Sequence, residues 1–268
     1  MKFLNLIQVI SKQGRFMNLK YGIAFFSALC LSSPTLSAET NSKLLIQIPS
    51  ESITLSYPEP VRLEQVFKDT IANSKQSSPL TYPLANQIFD ISKEHEAEQL
   101  KTDVLKQLNQ LVAEEDTFKE SAKLLIEQIK RWDVGYREKI SLDYDVIRLA
   151  PSANPMLAGQ YEIILPNRSN QVIVEGLLFR PGTLEIHSGY TVSDYLAEAS
   201  LLSSAHRSYV WIIYPDGEFT RSGYAYWNDD QATVAPGSIL FLGFNTDLEE
   251  MLELERKVVT LISMRKGL

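Results

Sequence analysis

VEGLLFRPGTLEIHSGYTVSDYL, residues Val174–Leu196, is the stretch that decides the fold. Gly176 to Gly182 reads as a turn between two strands, Gln171–Glu175 and Thr183–His187. Thr191 or Ser193 then caps a helix from Val192 to about Leu202. The spacing of Gly176, Gly182 and Gly189 is not Gly-x-Gly-x-x-Gly, and no P-loop lysine follows. The glycines therefore read as β-turn residues, where positive φ is needed, and not as a phosphate cradle.

Working outward, Tyr209–Tyr214 is a β-prone run and Pro215-Asp216-Gly217 a hairpin turn. Glu218–Tyr226 returns as a strand, and Ser238–Gly243 is the last one. The order over residues 170–245 is strand, strand, helix, then strands. A β-grasp, one helix laid across a small mixed sheet, fits it. The first half begins with the same grammar. Lys43–Ile48 and Ile53–Tyr57 are strands, and Val61–Ala72 places Leu63, Val66, Phe67 and Ile71 on one helical face.

A helical region follows. An apolar stripe at Leu100, Val104, Leu108 and Leu111 runs over about Lys93–Val112, and Ala113–Asp116 breaks it. Thr117-Phe-Lys-Glu120 has capping-box form and opens a second helix carrying Phe118, Ala122, Leu125, Ile129 and Trp132. A hairpin over about 93–134 is expected, ended by Gly135. Lys139–Leu142 and Asp145–Leu149 read as short strands, Gly159–Leu165 as a good one, and Pro166–Asn170 as a linker. Thr246-Asp-Leu-Glu249 opens a final amphipathic helix over about 246–266, with acids in its first half and bases in its second, which suits the helix dipole. Five acids near its start exclude an ordinary transmembrane helix. Its stripe reads as packing on its own chain, with peripheral membrane contact as the limit of any other role. The expected class is α+β: a β-grasp domain over 42–166 with an inserted helical hairpin, a second over 170–245, and the C-terminal helix.

The 268 residues carry a net charge of −7. An acidic chain is a poor nucleic-acid binder, because phosphate neutralisation supplies most of that affinity. Residues 17–38 have secretory-signal layout: Lys20, an apolar run from Tyr21 to Leu31, and Leu36-Ser-Ala38 before Glu39. Met17 is a candidate start, and cleavage is expected near Ala38, which implies a periplasmic or otherwise exported protein. Cleavage removes four cations and no acid, leaving the remainder near −11, and takes away Cys30, the one cysteine. Leu29, directly before it, does not fit a lipidation motif.

Metal and nucleophile chemistry find little support. His95, His187 and His206 are scattered and no cysteine remains to join them, so no metal is expected. No Gly-x-Ser-x-Gly elbow appears. Asp143 and Asp145 lie two apart and Asp229 and Asp230 lie adjacent in a loop, but glycoside hydrolysis needs two carboxylates about 5–9 Å apart across a sugar cleft, and nothing in the sequence fixes such a pair. The sharper cluster is Trp132, Tyr136, Arg137, Tyr144 and Arg148. Aromatic faces stack on sugars, and arginine forks onto carboxylate or phosphate. The plainer alternative has Trp132 in the core and Arg137 paired with Glu138 or Asp143.

The motifs Val172–Gly176, Pro181-Gly182, Gly189–Leu196, Tyr214–Gly217 and Ala235–Ser238 resemble the β-grasp (SLBB-like) modules of outer-membrane polysaccharide export proteins. Over about 43–265, with Tyr57-Pro-Glu-Pro-Val-Arg-Leu63, Trp132–Arg137 and Leu157-Ala-Gly-Gln-Tyr161, the chain is similar to the GfcC family of capsule biosynthesis proteins. The resemblance implies a non-enzymatic periplasmic factor that assists export or assembly of a surface polysaccharide, without cofactor. It binds glycan or an export partner, with Arg137 first and Arg148 second as residues lining a cleft beside the hairpin. No extra channel-forming N-terminal domain is read, so the channel itself is not the implied role. The alternative reading is a polysaccharide-processing enzyme using Asp143, Asp145 or Asp229.

Overall fold

A computed structural model describes residues 43–74, 81–114 and 117–267. The expected signal segment and Cys30 lie outside the described residues. The fold is mixed α+β, and 40–268 forms one compact unit.

In chain order the first strands are β1 (Leu44–Ile48), β2 (Ile53–Tyr57) and β3 (Val61–Arg62), followed by helix α1 (Leu63–Asn73). Then come β4 (Gln87–Asp90), α2 (Glu94–Glu114), α3 (Lys119–Lys130) and α4 (Tyr144–Leu149). β5 (Met156–Leu157) pairs with β3, and β6 (Gly159–Ile164) closes the first sheet. That sheet has the order β2-β1-β6-β4, with β1 and β6 parallel and the outer pairs antiparallel. β1 alternates as a half-buried strand should: Leu44, Ile46 and Ile48 are inside. They meet Leu63, Val66 and Phe67 of α1 and Ile147 of α4.

The second sheet is built from β7 (Gln171–Gly176), β8 (Gly182–Glu185), β9 (Tyr209–Ile213), β10 (Phe219–Gly223) and β11 (Ile239–Leu242), with α5 (Val192–Glu198) between β8 and β9. Its order is β10-β9-β11-β7-β8, with β11 parallel to β7. The two sheets follow one path: a hairpin, a helix, and a last strand inserted parallel to the first. The second sheet is covered on both faces, which is why β9 and β11 read as near-continuous apolar runs. Val210, Ile212, Leu240 and Leu242 face α5; Trp211, Ile213, Ile239 and Phe241 face α2, α3 and α6 (Glu249–Ser263). The stripe of α6, including Val258, Val259 and Ile262, is consumed by this core.

Several expectations need correction. Asp145–Leu149 is helical, because the Asp143 carboxylate accepts the Asp145 and Val146 amides (2.9 and 3.3 Å) and so caps α4. Lys139–Leu142 is irregular. α5 stops at Glu198, since the chain beyond it turns extended to pair with Leu177–Phe179. Thr117 does not cap α3, whose N-cap is Phe118 with no side-chain bond. β4 carries no strand pattern of its own in the sequence, its Ile88 and Phe89 being flanked by the polar Gln87 and Asp90.

Candidate functional site

The site is built on the outer edge of β4. Tyr136–Glu138 runs antiparallel along it: Asp90 N–H donates to the Tyr136 carbonyl, Glu138 N–H to the Ile88 carbonyl, and Arg137 bridges Phe89. Alternation along an extended chain sends Arg137 to the face opposite Tyr136 and Glu138. Those two gather at Lys93, whose Nζ lies 2.6 Å from Glu138 and 4.7 Å above the Tyr136 ring.

Arg137 reaches instead to the seam between the sheets. Its Nη2 donates to the Pro215 carbonyl (2.7 Å) and, at longer range, to that of Asn86 (3.4 Å). Nη1 donates to the Ser263 carbonyl at the end of α6 (3.3 Å). The β9–β10 turn folds over it at Gly217, where φ is +89° and an added Cβ would sit 3.0 Å from Nη1. No carboxylate lies within ion-pair distance of Arg137 among the described residues: Glu138 belongs to Lys93 and Asp143 to the cap of α4. Burial pulls its pKa down to about 10, opposed by the more distant charge of Asp216.

A cleft of about 550 Å³ opens beside this guanidinium. Tyr82, Leu84 and Asn86 form one wall, Lys139–Asp143 with Val146 another, and Asp216 and Glu218 the rim. The Lys139–Glu218 pair (3.3 Å) spans it, and the Tyr82 hydroxyl donates to the Pro236 carbonyl (2.8 Å). Buried Asn86 also lines it. The Asn86 amide is 3.4 Å from the Leu142 carbonyl, and its Oδ1 has no hydrogen-bond partner among the described residues.

The other residues singled out in the sequence do not converge here. Trp132 is 7% exposed, packed in the helical core with the Arg265 guanidinium 5.0 Å over its ring. Tyr144 packs on Phe67 and carries Arg148 over its face at 5.7 Å, on the exposed side of α4. Asp145 and Asp229 are not among the cleft-lining residues. Asp229 accepts from Ser193, and Asp230 from Ser222 and the Gly223 amide, so both hold loops. Asn86 and Tyr82 were missed. Their signal was an asparagine beside a buried strand, visible only once β4 is known. His206 is a structural tie: its Nδ1 accepts the Ser208 and Tyr209 amides (3.1 and 3.2 Å).

The two sheets and α6 define a mixed α+β protein with a cleft at their seam. A model described as "Capsule biosynthesis GfcC, N-terminal" matches residues 41–168, and one described as "Capsule biosynthesis GfcC C-terminal" matches 180–266. The chain therefore belongs to the GfcC capsule biosynthesis family. It is also 41% identical over 119 residues to "Uncharacterized protein YjbG" of Escherichia coli (strain K12). That match covers 44% of this chain and 49%, about half, of the relative's length.

Proposed function

We propose that this protein is a non-enzymatic periplasmic factor in capsule or exopolysaccharide export or assembly. It acts by holding an acidic group of a glycan, or of a lipid-linked sugar phosphate, in the Arg137 cleft, or by docking an export partner there. In this reading the two sheets are β-grasp modules, and α2 with α3 is a helical hairpin inserted in the first. The family membership supports the process. One observation carries the site: a guanidinium, held among the described residues only by backbone carbonyls, on the wall of an open cleft. Such a group keeps its charge for an incoming anion. The spare acceptor of Asn86 beside it suits a sugar hydroxyl. The periplasmic placement rests on the signal-like N-terminal sequence.

The enzyme alternative has one supporting observation, the acids on the cleft: Glu138, Asp143, Asp216 and Glu218. Each is tied into the structure, by Lys93, the α4 amides, the Glu218 amide and Lys139 respectively. The binding reading is therefore preferred.

The test is a strain lacking the gene, with surface, released and intracellular polysaccharide measured together. Surface polymer is expected to fall while released or internal polymer persists. The wild-type gene should restore it and an Arg137→Met gene should not. Unchanged surface polymer in amount and length would refute the role.

A further inference from the structure

A second feature lies on the loop between β10 and β11, apart from the residues that line the Arg137 cleft. Tyr226 is fully exposed and Trp227 is 74% exposed, side by side at the loop's tip. Water-exposed neighbouring aromatics are costly to keep, and isolated ones need no explanation, but a rigidly presented pair does.

The loop is pinned at each step beneath the tip. The Ala225 N–H donates to Asn228 Oδ1 (3.1 Å), and the Asn228 N–H returns to the Ala225 carbonyl (2.9 Å). Asn228 Nδ2 donates to the Ser208 carbonyl (3.0 Å). Asp230 accepts from the Gly223 N–H (2.7 Å) and from the Ser222 hydroxyl (3.0 Å). Gly223 lies so close under the Asn228 carbonyl that a Cβ there would collide with it. Gln231 is held at φ +54°, with its amide on Asp229 Oδ1 (2.9 Å). So the polar side chains around the tip hold the turn, while no side-chain hydrogen bond or ring contact engages Tyr226 or Trp227 among the described residues. The rings are presented, with little ordering left to be done on binding.

We propose that the Tyr226–Trp227 tip is a carbohydrate-stacking platform that takes the apolar faces of uncharged sugar rings. This rests on the glycan-binding reading above and deepens it: the tip would engage neutral sugars of a chain whose acidic group is held elsewhere. Charge selects this occupant. Asp229 and Asp230 follow the rings in sequence, and the single cation that the loop's contacts bring near, Arg207 beside the Ser208 that holds Asn228, is outnumbered by them. An anionic bilayer surface is drawn to clusters of basic residues beside its aromatic anchors, and a single arginine set against two acids is not such a cluster. Two rings are also far short of the about 800 Å² per partner of a stable protein interface. Hydroxyl-rich rings suit the site: their C–H faces cover the aromatics while their hydroxyls stay in water.

The chain supplies its own probe. It has three tryptophans, and Trp132 and Trp211 are buried (7% and 6% exposed), so Trp227 alone gives solvent-quenchable emission. The probe ligand is a set of oligosaccharides from partial acid hydrolysis of the source strain's surface polysaccharide. Titrated into the full exported chain, they are expected to shift emission to the blue and to protect it from acrylamide. By calorimetry, Trp227→Ala should weaken binding about tenfold or more, and Trp227→Phe by much less. Both variants should keep the wild-type Tm. Three results would overturn the proposal. The first is equal binding by wild type and Trp227→Ala; if Arg137→Met then abolishes binding, the cleft reading stands alone. The second is Trp227 protection by phosphatidylethanolamine–phosphatidylglycerol vesicles and not by oligosaccharide. The third is protection by raised protein concentration alone, which would mark a self-association surface. Normal surface polysaccharide in the deletion strain would instead refute the glycan role itself.

Discussion

Replacing Arg137 by methionine separates a recognition residue from a clasp. The side chain ties Asn86, Pro215 and Ser263, which belong to the two sheets and to α6, so at first sight its loss should open the seam. The magnitudes argue otherwise. Only the Pro215 bond is short (2.7 Å); a hydrogen bond to a charged group contributes about 1.5–3 kcal/mol, and the two longer ones contribute less. Against this stands the cost of burying the charge. Burial lowers the pKa to about 10. For a base, a lowered folded pKa means that the fold disfavours the charged form. Below about pH 10 the group is charged both folded and unfolded, so the cost is constant at physiological pH, at about 3 kcal/mol. Methionine gives up the bonds, escapes that cost and keeps most of the aliphatic packing, as when buried charges are exchanged for apolar side chains. The net change is expected within about 1 kcal/mol either way, or about 2–4 °C in Tm for a domain of this size. Thermal unfolding followed by circular dichroism measures it, beside complementation of the deletion strain. The expected pair of results is a near-native Tm with surface polysaccharide not restored. A fall in Tm of more than about 10 °C would refute the reasoning and make Arg137 a structural clasp.

Two further outcomes test the frame around the site. Gly176 sits at φ +95°, its faces taken up by the Leu242 carbonyl, and it exchanges two hydrogen bonds with Gln128 of α3. Gly176→Ala should therefore cost about 2–4 kcal/mol and lower Tm by roughly 10 °C, while the same substitution at Gly182, where an added Cβ meets nothing, should leave Tm nearly unchanged. His206 is pushed below its ordinary pKa by burial, and its Nδ1 already accepts two amides. A base with a lowered folded pKa stays neutral folded while the unfolded chain protonates. Its contribution is thus complete above about pH 6.5 and is lost as the pH falls below that. Tm measured from pH 7.5 to 5.5 should decline in the wild type, and the decline should flatten in His206→Gln. Glu255, whose buried carboxyl is pushed up, contributes with the opposite sign, so the difference between the two proteins isolates His206.

How much of this was legible follows from where the forces are local. The hairpin of β7 and β8, the strong run of β9, the Pro215–Gly217 turn and the stripe of α6 are set by neighbours in sequence, and each could be read there. β4 could not. Its Gln87 and Asp90 look like loop residues, yet both are buried: Gln87 exchanges bonds with the Arg265 carbonyl and the Gly267 amide, about 180 residues away. No local pattern announces a partner that distant. The misreading of Asp145–Leu149 has the converse cause. Val146, Ile147 and Leu149 look β-prone, but a single capping carboxylate at Asp143 and the packing of Ile147 under α1 decide for a helix.

The same distinction explains the site. Trp132, Tyr136, Arg137 and Tyr144 are close in sequence, and proximity there suggested one cluster. Three different local geometries divide them. Trp132 follows the end of α3 and stays in the helical core. Tyr136 and Arg137 are consecutive on an extended edge and must face opposite ways. Tyr144 opens α4 and packs over α1. Only Arg137 is sent to the seam, and what meets it there, Asn86, Pro215 and Ser263, comes from three remote segments. A residue type can thus be read from sequence as a candidate, whereas its surroundings are fixed by the tertiary fold. Here those surroundings hold the guanidinium with carbonyls and, among the described residues, bring no carboxylate into contact with it, so its charge is open to an incoming anion.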